Sequence, residues 1–231
     1  MRDTRCVTCL TLGAVPEWQI LRGLPESEMR RLVAAARRRH FDRREVVFHE
    51  GDPADTLHLV ARGRFAARLA TKLGDTATIG VHGPGEAFGE LALVEPGSVR
   101  STTVAALEQG ETYAVHREDF ARLRAEYPSI NELLVNLLAE RLRRSSELLV
   151  EALFVSAETR VLRRLVELGQ SYPDGVIPLK QEDIASLAGT SRATVNRVLR
   201  AQAGRGAVEL RRGQTVVLDA NALARRAASG N

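Results

Sequence analysis

From His40 to His116 no apolar run lasts more than a few residues, and glycine or proline breaks the chain between one run and the next. The runs are Val46-Val47-Phe48, Leu57-His58-Leu59-Val60, Phe65-Ala66-Ala67-Arg68-Leu69, Thr78-Ile79-Gly80-Val81 and Thr112-Tyr113-Ala114-Val115. The breaks are Gly51-Asp52-Pro53, Arg62-Gly63, Gly74-Asp75, Gly83-Pro84-Gly85 and Pro96-Gly97. Many short strands joined by glycine turns predict a β-barrel or jelly roll. Ahead of them, Leu24, Met29, Leu32 and Val33 fit a short helix with Ser27 and Glu28 near its start.

From Pro128 the texture turns helical for about 25 residues. Val135, Leu138, Leu142, Ser145, Leu149 and Ala152 step by three and four, a heptad seam of the kind two copies of a helix share. A second stripe, Ile130, Leu133, Leu134 and Leu137, is available to pack on the β region of the same chain. One amphipathic helix buried in a monomer is the alternative, but two apolar sides and this length favour a homodimer. Phe154-Val155-Ser156 reads as a joint, with Ser156 the N-cap of a new helix carrying Val161, Leu162, Leu165, Val166 and Leu168 and ending near Gly169. The domains expected are an extension over residues 1–19, a β domain over 20–127, a dimerisation helix over 128–154 and a small C-terminal domain over 155–231.

Residues 181–197 carry the pattern of a helix-turn-helix, with Ile184, Leu187, Val195 and Val198 as buried faces and Gly189-Thr190 as the turn. Ser191 is placed to cap the second helix, and Arg192, Thr194, Asn196 and Arg197 follow on it. Arginine suits the O6 and N7 of guanine and asparagine suits adenine, so these residues are candidates for reading double-stranded DNA. The stretch from Val208 to Leu218 reads as two strands around a basic glycine turn, a β-hairpin wing. Arginines crowd the C-terminal half, and the net charge of +4 permits a polyanionic partner without requiring one.

A second constellation lies in residues 88–104. Phe88-Gly89-Glu90-Leu91-Ala92-Leu93 is followed, after a short loop, by Arg100-Ser101-Thr102-Thr103-Val104. These residues supply what a cyclic nucleotide needs. Arg100 offers a permanent fork of donors to a buried phosphate, and Ser101 adds a hydroxyl and a backbone N–H. Gly89 lets the backbone come close, and Glu90 can accept from a ribose 2′-hydroxyl.

Other chemistry is poorly represented. There is no Ser-His-Asp arrangement, metal cluster or triphosphate loop, which argues against an enzyme, and His40, His49, His58, His82 and His116 are scattered through the β region. No apolar run approaches the ~20 residues of a membrane span, and residues 1–12 lack a secretory pattern, so a cytoplasmic protein without a membrane partner is expected. Cys6 and Cys9 form one C-x-x-C pair, too few ligands for a structural zinc or a four-iron cluster. An inert exposed pair, a redox element and a site shared between subunits all stay open for it.

The order of these parts resembles the CRP/FNR family of bacterial transcription regulators over roughly residues 20–219, nearest to its cyclic-AMP receptor branch. The match rests on Phe88–Leu93 with Arg100-Ser101, and on the helix-turn-helix with its wing. The resemblance implies an α+β fold: a cyclic-nucleotide-binding β-barrel or jelly roll, a long dimerisation helix and a winged helix-turn-helix. It implies cyclic AMP as effector, with cyclic GMP the alternative, at Gly89, Glu90, Leu91, Arg100 and Ser101. By register Ser145 and Ser146 stand where that branch meets the adenine, one residue from each subunit. It further implies an inverted-repeat DNA operator and RNA polymerase as partners. A regulator that works without nucleotide, or senses redox state through Cys6 and Cys9, is the rival within the family. Two departures stand out: Thr102 replaces a usual alanine in the pocket, and Ala193 replaces a glutamate that reads cytosine in the receptor branch.

Overall fold

The computed structural model describes residues 18–70, 76–94, 97–172 and 174–229, so Cys6 and Cys9 lie outside the described residues. A 3-10 turn at Gln19–Leu21 leads into helix α1 (Glu26–Ala35). Eight strands follow: β1 (Arg37–Phe41), β2 (Val46–Phe48), β3 (Thr56–Arg62), β4 (Phe65–Ala70), β5 (Thr76–His82), β6 (Ala87–Phe88), β7 (Thr103–Ala106) and β8 (Gly110–His116). They form two four-stranded sheets, ordered β1-β8-β3-β6 and β2-β7-β4-β5, with antiparallel pairing throughout. This is the jelly roll that the glycine-punctuated pattern predicts.

The two sheets close over Phe41, Val60, Phe65, Phe88 and Val104, all nearly inaccessible to solvent. Phe65 sits edge-on to Phe41 at 5.6 Å and tilted to Phe88 at 5.4 Å, geometries that aromatic rings prefer over face-to-face stacking. The other side of the first sheet is covered from the same chain. Trp18 donates its indole N–H to the Val60 carbonyl at 2.9 Å and packs with Leu21, Leu57 and Leu59. Helix α2 (Arg117–Glu126) adds Phe120 and Leu123, and helix α3 (Ser129–Phe154) adds Ile130 and Leu134.

Helix α3 runs for 26 residues, far longer than its contact with the jelly roll. Its first half is held by the stripe of Ile130 and Leu134. Beyond that, Val135, Leu142, Leu149 and Leu153 are 61–71% exposed. The exposed apolar stripe therefore follows a different register from the expected seam, sharing Val135, Leu142 and Leu149 with it. Leu138 and Ser145 turn towards a cavity beside the jelly roll, and Ala152, though exposed, lies off the new stripe. Ala139, Ser146 and Leu153 join Val135, Leu142 and Leu149 on the exposed side. A step of four then three fits the sequence as well as three then four, and only contact with the jelly roll separates them.

Val155 leaves the helix in an extended conformation, and Ser156 caps helix α4 (Ala157–Ser171) by accepting from the Thr159 N–H at 3.2 Å. Gly169 does not end this helix as its position suggested. A Cβ there would meet Val217 at 3.3 Å, so the missing side chain lets α4 lie close on the sheet beside it. That sheet contains β9 (Val176–Ile177), β10 (Val208–Arg211) and β11 (Gln214–Val217) in the order β10-β11-β9. Helices α5 (Gln181–Leu187), α6 (Arg192–Gly204) and α7 (Ala220–Ser229) complete the domain. Val161, Leu165, Ile177, Ile184, Val195, Leu199 and Leu223 form its core, each fully enclosed.

This core is continuous with the outer face of the second jelly-roll sheet through Ala66 and Val81. Polar contacts fix the two parts together: the Thr78 and Ser186 hydroxyls lie 2.6 Å apart, Arg68 reaches Asp183 at 3.2 Å, and Arg64 stacks on Tyr172 at 3.7 Å. Because Leu165 sits in the middle of that shared core, truncating it should be felt throughout the C-terminal domain. We expect Leu165→Ala to lower unfolding free energy by about 2–5 kcal/mol, read as a shift of the urea midpoint with unchanged slope.

Candidate nucleotide pocket and nucleic-acid interface

A cavity of about 270 Å³ opens where the jelly roll meets α3, lined by Gly89, Glu90, Leu91, Arg100, Ser101 and Ser145 among others. Six of the seven residues expected to meet a nucleotide are therefore brought together. Ser146 is not among them; its hydroxyl donates back to the Leu142 carbonyl at 3.0 Å, on the exposed side of the helix.

The cavity owes its shape to Gly89. This residue has φ +81, which glycine adopts freely and other residues rarely do. A Cβ added there would stand 2.7 Å from Arg100 Nη1 and 3.0 Å from the Thr56 carbonyl. Strand β6 thus ends in a left-handed turn that lets the Arg100 guanidinium come up against bare backbone. A 3-10 turn over Glu90–Leu93 follows, projecting Glu90 into the site and leaving Leu91 partly exposed.

Arg100 is 5% exposed. It donates Nη1–H to the Thr56 carbonyl at 2.8 Å and Nη2–H to the Thr56 hydroxyl at 2.7 Å, and lies over the Phe48 ring at 4.1 Å. Its Nε has no hydrogen-bond partner. Asp55 forms an ion pair with the guanidinium at 3.6 Å, but that carboxylate is 56% exposed, so water screens the pair. Burial accordingly pulls the Arg100 pKa below its ordinary value, against the opposing pull of Asp55, Asp52 and Glu90. A buried cation with a free Nε–H donor and only a solvent-screened ion pair is a site that an anionic ligand would complete.

Glu90, the expected acceptor for a ribose hydroxyl, also meets the long helix. Arg141 on α3 approaches its carboxylate at 3.5 Å and also donates Nη2–H to the Ala87 carbonyl at 2.6 Å and to His82 Nδ1 at 3.1 Å. Arg141 thereby joins the glycine turn of the pocket to the long helix, one helical turn before Ser145. That spacing was legible in the sequence, because residues four apart share a helix face. Thr56, Phe48 and His82 are further participants without a local sequence signature; they come from strands distant in the chain.

Because the guanidinium of Arg141 can only donate, His82 Nδ1 must be an acceptor and the ring neutral. Burial, then Arg141, pushes the His82 pKa down to about 3. His58 is also held down to about 3 by burial and by Arg100 and Arg39; it stacks on Phe88 at 5.0 Å and lies 3.0 Å from the Thr112 hydroxyl.

The second set of expected residues lies on α5 and α6, joined by a turn through Gly189 at φ +56. Ser191 accepts from the Thr194 N–H at 3.2 Å, so both residues serve the helix cap. Arg192 pairs with Glu182 at 3.2 Å, and Asn196 donates to the Gln181 side chain at 3.0 Å. Arg197 is exposed on the same helix. The exposed side of α6 thus presents Arg192, Ala193 and Arg197 to solvent, while Val195, Val198 and Leu199 hold the other side in the core.

Comparison with known proteins agrees with both halves. Residues 38–127 match the cyclic nucleotide-binding domain family, and residues 159–226 match the Crp-like helix-turn-helix domain family. The cyclic AMP receptor protein of Thermus thermophilus is 35% identical over 201 residues, covering 87% of this chain and 93% of its own. The chain belongs to the CRP/FNR family of transcription regulators. A CRP-like cAMP-activated global transcriptional regulator of Mycobacterium tuberculosis is 31% identical over 215 residues, 90% of this chain and 96% of its own. Among solved structures, the catabolite activator protein of Thermus thermophilus superposes with a TM-score of 0.53 at 33% identity, covering 92% of this chain and all of that one. The c-di-GMP responsive regulator CLP of Xanthomonas campestris does so with a TM-score of 0.71 at 25% identity, covering 84% of this chain and 99% of that one. This CRP/FNR regulator therefore carries a cyclic nucleotide-binding domain and a DNA-binding helix-turn-helix, and it is not an enzyme. No helix among the described residues is long and apolar enough to cross a membrane.

The two neutral histidines give the folded chain a pH signature. In the unfolded chain their rings titrate near 6.5, in the folded chain near 3, so across that window the unfolded state binds more protons. Stability is then retained above about 6.5 and falls as the pH is lowered towards 3. Urea unfolding at pH 7 and pH 5 should show a loss of at least ~1 kcal/mol per ring. His58→Gln/His82→Gln should remove most of that difference.

Proposed function

We propose that this regulator is a homodimer that binds cyclic AMP in the cavity around Arg100 and, in that state, reads an inverted-repeat DNA operator through α6. The observation that carries the reading is the enclosed guanidinium of Arg100, its Nε–H without an acceptor and its one ion pair exposed to water, seated on a glycine turn that a side chain would block. The unpaired Nε and the bare backbone at Gly89 fit a cyclic phosphate. Glu90 and Ser101 stand ready for ribose and phosphate oxygens, with Leu91 at the rim, and Ser145 faces the same space for the base. Relatives named as cyclic AMP receptor protein and as a cAMP-activated regulator support cyclic AMP over cyclic GMP as the effector.

The exposed stripe of α3 supports the homodimer. In it Ser146 faces away from its own cavity, towards the place a second copy of α3 would occupy, so a nucleotide would be met by Ser145 of one subunit and Ser146 of the other. On α6, Arg192, Asn196 and Arg197 are taken as the base-reading residues and Ser191 and Thr194 as the cap that presents the helix to phosphate. The working domains are residues 20–127, 128–154 and 155–231, preceded by the extension over 1–19. RNA polymerase as a further partner and the cytoplasm as the site of action follow from the same reading, and Cys6 and Cys9 take no part in it.

Two measurements bear on this. Arg100→Lys keeps the charge and loses the fork, so calorimetric affinity for cyclic AMP should fall by roughly 10–100-fold. Affinity equal to that of the natural protein would exclude the pocket, and stronger binding of cyclic GMP would reassign the effector. Leu149→Asp places a charge in the middle of the α3 stripe; sedimentation should then report a monomer where the natural chain sediments as a dimer. A variant that still sediments as a dimer would move the interface elsewhere.

A further inference from the structure

Arg160 lies in the first turn of α4, four residues beyond the joint at Ser156, and its guanidinium binds three backbone carbonyls. Nη1–H goes to Val155 at 2.7 Å, Nε–H to Ala188 at 2.8 Å and Nη2–H to Gly189 at 2.9 Å. Val155 is the C-cap of α3, the long helix that also lines the nucleotide cavity. Ala188 is the C-cap of α5, and Gly189 is the left-handed residue of the turn between α5 and α6. One side chain therefore ties the end of the long helix to the turn of the DNA reader.

The electrostatics suit that task. The last carbonyls of a helix have no intrahelical donor and carry its negative dipole end. Arg160 brings a permanent positive charge to two such ends at once. No ion pair claims it among the described residues, so its fork is committed to the joint rather than shared with a carboxylate. Lysine at this position would keep the charge but lacks the planar fork that spans three acceptors. Neighbouring arginines behave differently: Arg164 engages Glu151 and Glu167, a contact between α3 and α4 that does not reach the reader turn.

We propose that Arg160 is the positioning residue that transmits a displacement of α3 to the reader helices, by linking the Val155 carbonyl rigidly to the Ala188 and Gly189 carbonyls. The inference rests on the nucleotide-regulated reading above. Without the tie, the Glu151 pairs would still pass a shift of α3 to α4, but the direct link from the end of α3 to the reader turn would be lost and the turn would follow only in part. Arg160 touches neither nucleotide nor DNA in this scheme; it couples them.

The test is a coupling measurement on the full chain. Affinity for a duplex selected from a random pool by the natural protein with cyclic AMP is measured with and without cyclic AMP, for the natural protein, Arg160→Lys and Arg160→Gln. We expect both variants to bind cyclic AMP normally without DNA and to melt cooperatively. The ratio of the two DNA affinities should fall by roughly 5–50-fold, and the effect of DNA on cyclic AMP affinity should fall by the same factor. A cap that merely stabilised the domain would lower DNA affinity alike in both conditions and leave the ratio untouched. That result in either folded variant would overturn the proposal. A ratio of one for the natural protein would instead remove the nucleotide-regulated reading and this inference with it.

Discussion

The cation of Arg100, enclosed at the end of β6 with only an exposed carboxylate for a counter-charge, sets the terms for the rest of the chain. Removing a guanidinium from water is costly unless its donors are met, and here Thr56 meets two of them while Asp55 stands off at 3.6 Å. The jelly roll makes the arrangement tolerable because its closed sheets hold Phe48 and Phe88 rigidly around the site. A flexible loop would let the arginine swing back to solvent. The cradle at Gly89 and the carboxylate of Glu90 are arranged around this charge, and Arg141 carries its influence to α3.

Helix α3 is the element that touches the jelly roll, the pocket and the joint to the C-terminal domain. Its first turns are buried in the jelly roll by Ile130 and Leu134, its middle lines the pocket with Leu138, Arg141 and Ser145, and its far side is an uncovered apolar stripe. Its last residue lies one step from the carbonyl that Arg160 holds. Pocket, bare stripe and joint to the C-terminal domain thus each take a different part of one helix. The ion pairs of Glu151 with Arg163 and Arg164 stiffen its junction with α4; desolvation, the largest single effect, pushes the Glu151 carboxyl up, but the Arg163 hydrogen bond and the nearby guanidinium charges together hold it below its usual range.

Much of this was legible in residue order. Alternating short runs and glycine breaks identify the jelly roll because its strands need turns that only such residues make easily, and the caps at Ser156 and Ser191 follow from side-chain oxygens placed before helical stretches. What escaped has a common cause. Strand β1, Arg37-Arg38-Arg39-His40-Phe41, shows no apolar alternation, because it is an edge strand whose guanidinium groups stay wet and whose Glu111 partner is far off in sequence. Helix α2 is polar over most of its length and buries only Phe120 and Leu123. Gly169 looked like a helix end and is instead a point of close packing on Val217.

Residue identity and spacing alone determined that there would be a closed β domain, a long amphipathic helix and a helix-turn-helix. They also marked Gly89 and Arg100, which the fold brings against each other at one cavity, as candidates for an anion site. Those properties are local: a turn needs a glycine, a helix needs its period, a phosphate needs a fork of donors. Tertiary structure alone decided which side of α3 faces the pocket and which is left bare, that Glu90 meets Arg141, and that Arg160 spans the joint and the reader turn. Each of these depends on groups brought together across tens of residues, and a periodic pattern cannot distinguish two registers until a neighbouring surface buries one of them.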